Sequence, residues 1–335
     1  MKKVTIKDIA NEAGVSYATV SRALSGSNEI STETKKRILG ISRKLGYTAN
    51  TVARSLVANE TKIIGLIVGS VNNPFMSEIA YHLELKARAK GYNLMFCNSF
   101  NDIKQEEEAY KLMIGRQVDG IVIVPTSSKS YDRLKPYVRQ VPTVFFSDNL
   151  RDMHESYVSV DNLRGTYIGT KYLYSIGHRK IVYFARRLGS ITHELRLEGY
   201  LKACDECGIK ADYVDSSFSS SSVENGYQLA KDFFADKSRK ATAIFASTDT
   251  IALGVLKAAQ EAHISIPKDL SLMGFDNISF VGLPCIELTT INQPLETMAA
   301  ATMSILIDKI TDPDAGYYHT IAEPSLIVRN TCAQI

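Results

Sequence analysis

Acids and amides recur in this chain at one kind of place, just after short apolar runs. Asn72 and Asn73 follow IIGLIVGS, and Asp148 and Asn149 follow TVFFS. Thr248 and Asp249 follow TAIFAS, and Asp276 and Asn277 follow LSLMGF. Carboxylates accept hydrogen bonds, and amides both donate and accept them. A set of such groups suits a ligand rich in hydroxyls, and aromatic faces complement the C–H surfaces of the same ligand. The ligand class is that of a sugar.

Other chemistries lack their residues. Neither a G-x-x-x-x-G-K phosphate loop nor a G-x-G-x-x-G turn is present. His82, His154, His178, His193, His263 and His319 show neither metal nor triad spacing, and each reads as a surface or structural histidine. Of the five cysteines only Cys204 and Cys207 lie close together, in LKACDECGIK. Zinc would need two more ligands at similar spacing, so the pair reads as buried or half-buried free thiols. Nothing presents an activated nucleophile. The expectation is a protein that is not an enzyme and carries no cofactor or metal.

The elements that position the polar residues follow from the pattern. The apolar runs at 63–70, 93–97, 120–125, 143–148, 181–185, 242–247 and 270–276 read as buried strands. Amphipathic stretches at 77–90, 105–116, 162–176, 194–207, 223–235, 249–262 and 295–309 separate them and read as helices. Alternation of strand and helix predicts doubly wound parallel sheets covered on both faces. Ligands of such sheets sit beyond the carboxyl ends of the strands, where the acids and amides lie.

The first sixty residues differ. They hold ten Lys or Arg against five Asp or Glu, a net +5, whereas the whole chain is only +3 and the remaining 275 residues are therefore at −2. A basic head on a slightly acidic body points to a polyanion at one end. Ile6, Ile9, Ala10 and Ala13 share one helical face, with Thr5 as cap and Asp8 in the first turn. Gly14 ends that helix. Ser16 opens a second, with Val20 and Leu24 inward, and Ser31 opens a third, with Ile38, Ile41 and Leu45 inward and Gly46 as its stop. Two short helices joined by a glycine turn make a helix-turn-helix. Tyr17, Ala18, Ser21 and Arg22 then face outward, where the second helix meets base edges in a major groove. Arg22 can pair with guanine, and Ala18 can touch a thymine methyl.

The segments TIKDIANEAGVSYATVSRALSG and GYTANTVARSL resemble the head of the lactose-repressor family of bacterial transcription regulators. The matching positions are Thr5, Ile6, Asp8, Ile9, Ala10, Ala13 to Ser16, Thr19 to Arg22, Leu24, Asn50 and Ala53 to Leu56. The body resembles the same family, and through it the type I periplasmic sugar-binding fold, in NNPFMSEI, VDGIVIVP, VDNLRG, IGHRKI, ELRLEGY, STDTIALGVL, ISIPKDLSLMGFDN and LTTINQPLETM. The resemblance implies a helix-turn-helix head at 1–48, a hinge helix at 49–60 and an effector-binding and dimerisation core at 61–335. One subdomain would comprise about 61–160 and 291–322, the other about 161–290 and 323–335.

The resemblance also implies roles. Thr5, Ser16, Tyr17, Ala18, Thr19, Ser21, Arg22, Asn50, Ala53 and Leu56 would bind DNA, with Leu56 as an apolar wedge in the minor groove. Ala49 stands where the family usually has a proline, which removes a fixed φ at the hinge entrance. Asn73, Phe75, Met76, Asp148, Asn149, Arg196, Phe218, Thr248, Asp276 and Gln293 would bind the effector. Asp148-Asn149 and Thr248 depart from the ribose-binding pattern, and this favours another sugar. Asp249 reads as the cap of the helix it opens. The expected partners are a near-palindromic duplex operator, a small sugar and a second copy of the chain. With no signal peptide in MKKVTIKDIANEAGVS and no run of eighteen apolar residues, the expected location is the cytoplasm. The expected activity is repression of carbohydrate-utilisation genes. A nucleobase effector or a phosphorylated carrier protein as corepressor is the alternative within the family.

Overall fold

The computed structural model describes residues 4–24, 27, 29–47, 60–146, 154–186, 190–216, 221–312 and 314–335. The chain divides into two compact units, Met1–Thr61 and Lys62–Ile335.

The small unit holds α1 (Ile6–Ala13), α2 (Tyr17–Leu24) and α3 (Thr32–Lys44). Each start is fixed by a short polar side chain that satisfies an otherwise unpaired N–H. Asp8 Oδ2 accepts from Thr5 N and Thr5 Oγ1, both at 2.7 Å. Ser16 Oγ accepts from Thr19 N at 3.1 Å, and Ser31 Oγ from Thr34 N at 3.3 Å. Gly14 and Gly46 follow α1 and α3 with φ of 62° and 64°, a region open to glycine at little cost. Ile9, Ala10, Ala13, Val20, Ala23 and Ile38 form the buried core. Leu24, Ile41 and Leu45 pack around it half-buried. Ala23 takes the inner place that spacing suggests for Leu24, since a three-helix core this small has room for a methyl there.

The large unit carries two parallel-stranded lobes. The first begins with β1 (Ile63–Val68), α4 (Pro74–Ala89), β2 (Asn93–Asn98), α5 (Ile103–Gly115), β3 (Gly120–Ile123), α6 (Ser130–Val138), β4 (Thr143–Phe146) and β5 (Ser156–Val160). The second holds α7 (Asn162–Ser175), β6 (Ile181–Arg186), α8 (Ile191–Cys207), β7 (Asp212–Ser216), α9 (Val223–Ala235), β8 (Ala243–Ala246), α10 (Asp249–Glu261), β9 (Ser271–Asp276) and β10 (Thr289–Asn292). The chain then returns to the first lobe for α11 (Leu295–Thr311) and β11 (His319–Ala322), and ends in the second with β12 (Ser325–Ile327). It crosses between lobes after Val160, Asn292 and Ala322. Residues 291 and 292 therefore stand with the second sheet, because β10 pairs β9 through Asn292 opposite Asp276.

The first sheet runs β11-β5-β4-β3-β1-β2, and all its pairs are parallel. The second runs β12-β10-β9-β8-β6-β7, with β12 the antiparallel member on β10. In both sheets the order reverses beside the first strand of the lobe, between β1 and β3 and between β6 and β8. Such a reversal leaves a crevice at the strand ends, because the flanking crossovers leave on opposite faces. Each lobe thus presents a crevice of its own.

Five strands and one helix lie outside the apolar-run pattern. β5 reads SYVSV, yet every residue is buried, Ser156 and Ser159 included. β7, β10, β11 and β12 are short and polar; β7, β11 and β12 are edge strands and β10 lies beside one. α6 spans nine residues and contains Pro136. Helix packing in the second lobe uses missing side chains. At Gly226 a Cβ would collide with the Ile251 carbonyl of α10, and at Gly254 with the Val223 carbonyl and Tyr227 N of α9. The backbones of α9 and α10 touch there, and neither can yield. Gly254→Ala is expected to destabilise the large unit by about 1–3 kcal/mol through overpacking. Urea unfolding followed by circular dichroism measures it, and an unchanged midpoint would show that the helices separate easily.

Candidate functional site

The two crevices open on one cavity. Gly69, Asn73, Phe75, Met76, Asn101 and Thr126 line it from the first lobe, after β1, β2 and β3. Ser190, Thr192, His193, Arg196, Ser221, Thr248 and Asp276 line it from the second, after β6, β7 and β8, at the end of β9 and along α8. Its volume is about 80 Å³. One water needs ~10–15 Å³ on that measure, so several waters or one small polar molecule fit.

Arg196 is the centre of the polar wall. It sits on α8, 98% buried, and its guanidinium stacks 3.6 Å over the Phe275 ring. Nε donates to Asn162 Oδ1 at 2.8 Å, and Nη1 donates to the Ser247 carbonyl at 2.6 Å. Nη2 lies 3.4 Å from Asp276 Oδ1. Two donor positions are thus spent on the protein, and the fork is rigid before any ligand arrives. Asp276 ends β9 with φ at 122°, and Asn277 follows at 57°. An aspartate at that φ costs of order 1–3 kcal/mol, and the surroundings must hold it there. Gln293 Nε2 donates to Asp276 Oδ1 at 2.7 Å, and Arg329 Nη2 donates to Asn277 Oδ1 at 2.7 Å. Asp249 Oδ2 accepts from Ile278 N at 2.9 Å, and its Oδ1 accepts from Thr290 Oγ1 at 2.6 Å.

Three assignments change at this point. Asp249 does not cap α10. Thr248 does, through Oγ1 and Ile251 N at 3.3 Å, while Asp249 is fully buried and holds the turn after β9. Asn73 is the cap of α4, its Oδ1 accepting from Phe75 N at 3.1 Å, so its amide NH₂ is the part left for a ligand. Gln293 reaches the site through Asp276. Phe75 and Met76 sit in the wall, Phe75 almost fully buried. Asp148, Asn149 and Phe218 lie outside the described residues.

In the small unit, α2 exposes Tyr17, Ala18 and Arg22, and half-exposes Thr19 and Ser21. Tyr17 is 57% exposed. Ser16 and Thr19 bond to each other at 2.8 Å, and Thr5 closes α1 through Asp8. Arg22 Nε stands 3.5 Å from Glu29 on an open surface. Ala49, Asn50, Ala53 and Leu56, and the hinge expected at 49–60 up to residue 59, lie outside the described residues.

Comparison with known proteins decides between an isolated helix-turn-helix and a whole regulator. The profile described as "Bacterial regulatory proteins, lacI family" matches residues 5–50, and that of a "Periplasmic binding protein-like domain" matches 170–332. The HTH-type transcriptional repressor PurR of Pasteurella multocida is 32% identical over 331 residues, 98% of each chain. The ribose operon repressor of Haemophilus influenzae is 32% identical over 330 residues, again 98% of each. The chain belongs to the lacI family of bacterial regulatory proteins. Its fold is also that of the lac repressor dimer bound to operator and the anti-inducer ONPF, with a TM-score of 0.88 at 24% identity, covering 99% of this chain and 100% of that one.

Within this lacI-family chain, the spacing of polar residues leaves several cleft residues unmarked. Thr126 follows β3, and Ser190 and Thr192 follow β6. The strand-end rule points to all three, since GIVIVP and IVYFA are visible runs. The Ser and Thr that follow them resemble ordinary turn residues and do not stand out. Asn162 and the Ser247 carbonyl support the site from behind with no distinguishing mark in the sequence, and Asp249 supports it there too, marked by its place after a strand but not by its role.

Burial pushes the Asp276 carboxyl up to about 6, with Glu78 adding to the effect and Arg196 and Gln293 opposing it. Burial, and then the charge of Asp276, push Asp249 well above its ordinary value. The folded pKa of Asp276 exceeds the unfolded one. Its contribution to stability is therefore full below about pH 4 and is lost as pH rises through about 6. Asp276→Asn mimics the neutral form and should gain stability relative to the parent over that window, by of order 2–3 kcal/mol. Urea unfolding of both proteins from pH 4 to 7.5 checks this. A difference independent of pH would show that Arg196 compensates the carboxylate fully.

Proposed function

We propose that this lacI-family regulator is a repressor of carbohydrate-utilisation genes. It binds a near-palindromic operator as a homodimer in the cytoplasm, and a small sugar in the cleft sets its operator affinity. The observation that carries the effector reading is the polar wall, a prealigned guanidinium beside a carboxylate, both lining the cavity. Vicinal hydroxyls match that pair, one accepting from Arg196 and one donating to Asp276. The cavity is small and polar, and its described lining offers a single benzene ring, that of Phe75. A nucleobase is bound best between two flat faces. The relatives named PurR nevertheless favour a purine as the second reading.

The dimer rests on apolar surface at one edge of the first lobe. Tyr81 and Leu85 are one turn apart on α4 and exposed, and Phe96 is exposed on the edge strand β2. A twofold copy would cover both and present two heads to a symmetric site. The solved lac repressor is a dimer on its operator. Tyr17, Ala18 and Arg22 would read bases, whereas Thr5, Ser16, Thr19 and Ser21 would hold phosphates or support the readers.

Thermal-shift and calorimetric titration with pentoses, hexoses, disaccharides and purine bases tests the effector class. A sugar raising the melting temperature is expected, and a response to purines alone would replace the sugar reading. For that sugar, Arg196→Lys keeps the charge but loses the planar fork. Losing one charge-assisted hydrogen bond costs ~2 kcal/mol, about 30-fold in affinity. Unchanged affinity would remove Arg196 from the contact set. On the DNA side, selection from random duplexes should return a near-palindrome, and Ala18→Gln should shift one symmetric base pair toward adenine. An unchanged motif would place another element in the groove.

A further inference from the structure

We infer that Glu78 is a latch between the lobes: from α4 of the first lobe, its carboxylate holds the turn of the second lobe that carries Asp276. This deepens the proposed function by naming the residue that couples cleft occupancy to lobe closure. Glu78 Oε1 accepts from Ser279 N at 2.6 Å. The partners are 201 residues apart in sequence and belong to different sheets.

The place of the contact gives it meaning. Ser279 opens the 3₁₀ turn Ser279–Gly282, three residues after Asp276. Asp276 and Asn277 both have positive φ, so this turn is held in a conformation it would not keep alone. Two carboxylates hold successive amides in it. Asp249, from the same lobe, takes Ile278 N, and Glu78, from the opposite lobe, takes Ser279 N. The first bond persists however the lobes move. The second joins the two lobes. A carboxylate at the exposed N–H end of a turn is a charge-assisted contact and among the stronger hydrogen bonds. Glu78 does not line the cavity, yet it lies on the helix that begins with Asn73, Phe75 and Met76, which do. The same helix therefore presents cleft residues at its start and the latch one turn later. A molecule bridging Phe75 and Asp276 pulls together the two segments that Glu78 already joins.

The latch raises the closed fraction before any effector binds. A ligand that needs the closed state is weakened in proportion to the loss of that fraction. Removal of the latch is thus felt at the cavity without removal of any cavity contact.

Hydrogen exchange with mass spectrometry on the full chain, without added ligand, tests this for the parent, Glu78→Ala and Glu78→Gln. It is independent of the effector's identity, so the sugar reading can fail while the latch stands. In Glu78→Ala, exchange should quicken about tenfold in the peptide covering 277–283 and also in those covering 73–79 and 190–196, on both walls of the cleft. The melting temperature should move little, because each lobe keeps its own core. Glu78→Gln retains an acceptor and should restore most of the protection. Faster exchange at 277–283 alone would make Glu78 a simple turn cap and overturn the latch. So would an unchanged pattern, or a Glu78→Gln variant no better protected than Glu78→Ala.

Discussion

A buried guanidinium beside two buried acids governs the large unit. Arg196, Asp276 and Asp249 are each at least 95% buried. Removing such charges from water costs several kcal/mol apiece unless each finds partners. The partners come from distant parts of the second lobe: Asn162 at the start of α7, the Ser247 carbonyl after β8, Thr290 on β10, Gln293 after it and the Ile278 amide. The lobe has to close correctly for any of them to be in place. The polar cluster therefore acts as a check on the fold, and it sets Arg196 and Asp276 in the cavity wall. Burial outweighs the pull of the arginine, so both carboxyls lie above their ordinary range, Asp249 further raised by the charge of Asp276. A ligand hydroxyl that donates to Asp276 relieves part of that imbalance.

Topology brings this cluster to a ligand. Both sheets reverse strand order beside their first strand, and both crevices open at the carboxyl ends. Because the chain crosses between lobes three times, the lobes are tethered at one edge and the crevices face each other. The first lobe adds the start of α4 and the ends of β1 and β3, mostly neutral or apolar. The second adds the charges. A molecule in the cavity thus meets a rigid, charged wall and a softer one, and the softer wall is carried by α4, which also holds Glu78.

The alternation of apolar runs and helical stretches made the doubly wound class legible, since seven strands and seven helices announce themselves by buried, β-branched residues or by spacing. Ser156 and Ser159 in β5 hid a central strand, because hydroxyls buried inside a sheet can be satisfied without any apolar signature. Asp276 was visible as a site residue because it ends an apolar run. Asp249 was visible for the same reason and misread. A residue that opens a helix looks like a cap, and only the packing of Gly274 beneath its carboxylate reveals that it points inward. The resemblance to the family supplied Arg196, which spacing alone does not single out from the other polar residues of α8. The role of Glu78 depends on a contact between residues 78 and 279, and no local pattern encodes it.

The small unit obeys a different economy. Its core comprises six buried residues, three of them alanine, so burial contributes little and the caps of α1, α2 and α3 carry a large share of its order. Its positive charges are mostly on the surface and weakly paired. The Arg22–Glu29 contact is open to water on both sides, and an exposed pair of that kind is worth ~0–1 kcal/mol. A duplex can displace it at slight cost and gain a guanine or phosphate contact in return. One such head, reading a few bases with two or three side chains, has modest discrimination, and most of its affinity is the salt-sensitive attraction of lysines and arginines to phosphate. Selectivity at physiological salt then requires a second head at a fixed distance. On the proposed reading, in which the large units pair, that requirement is the physical reason an effector bound beside Arg196 and Asp276 can matter to DNA that neither residue touches.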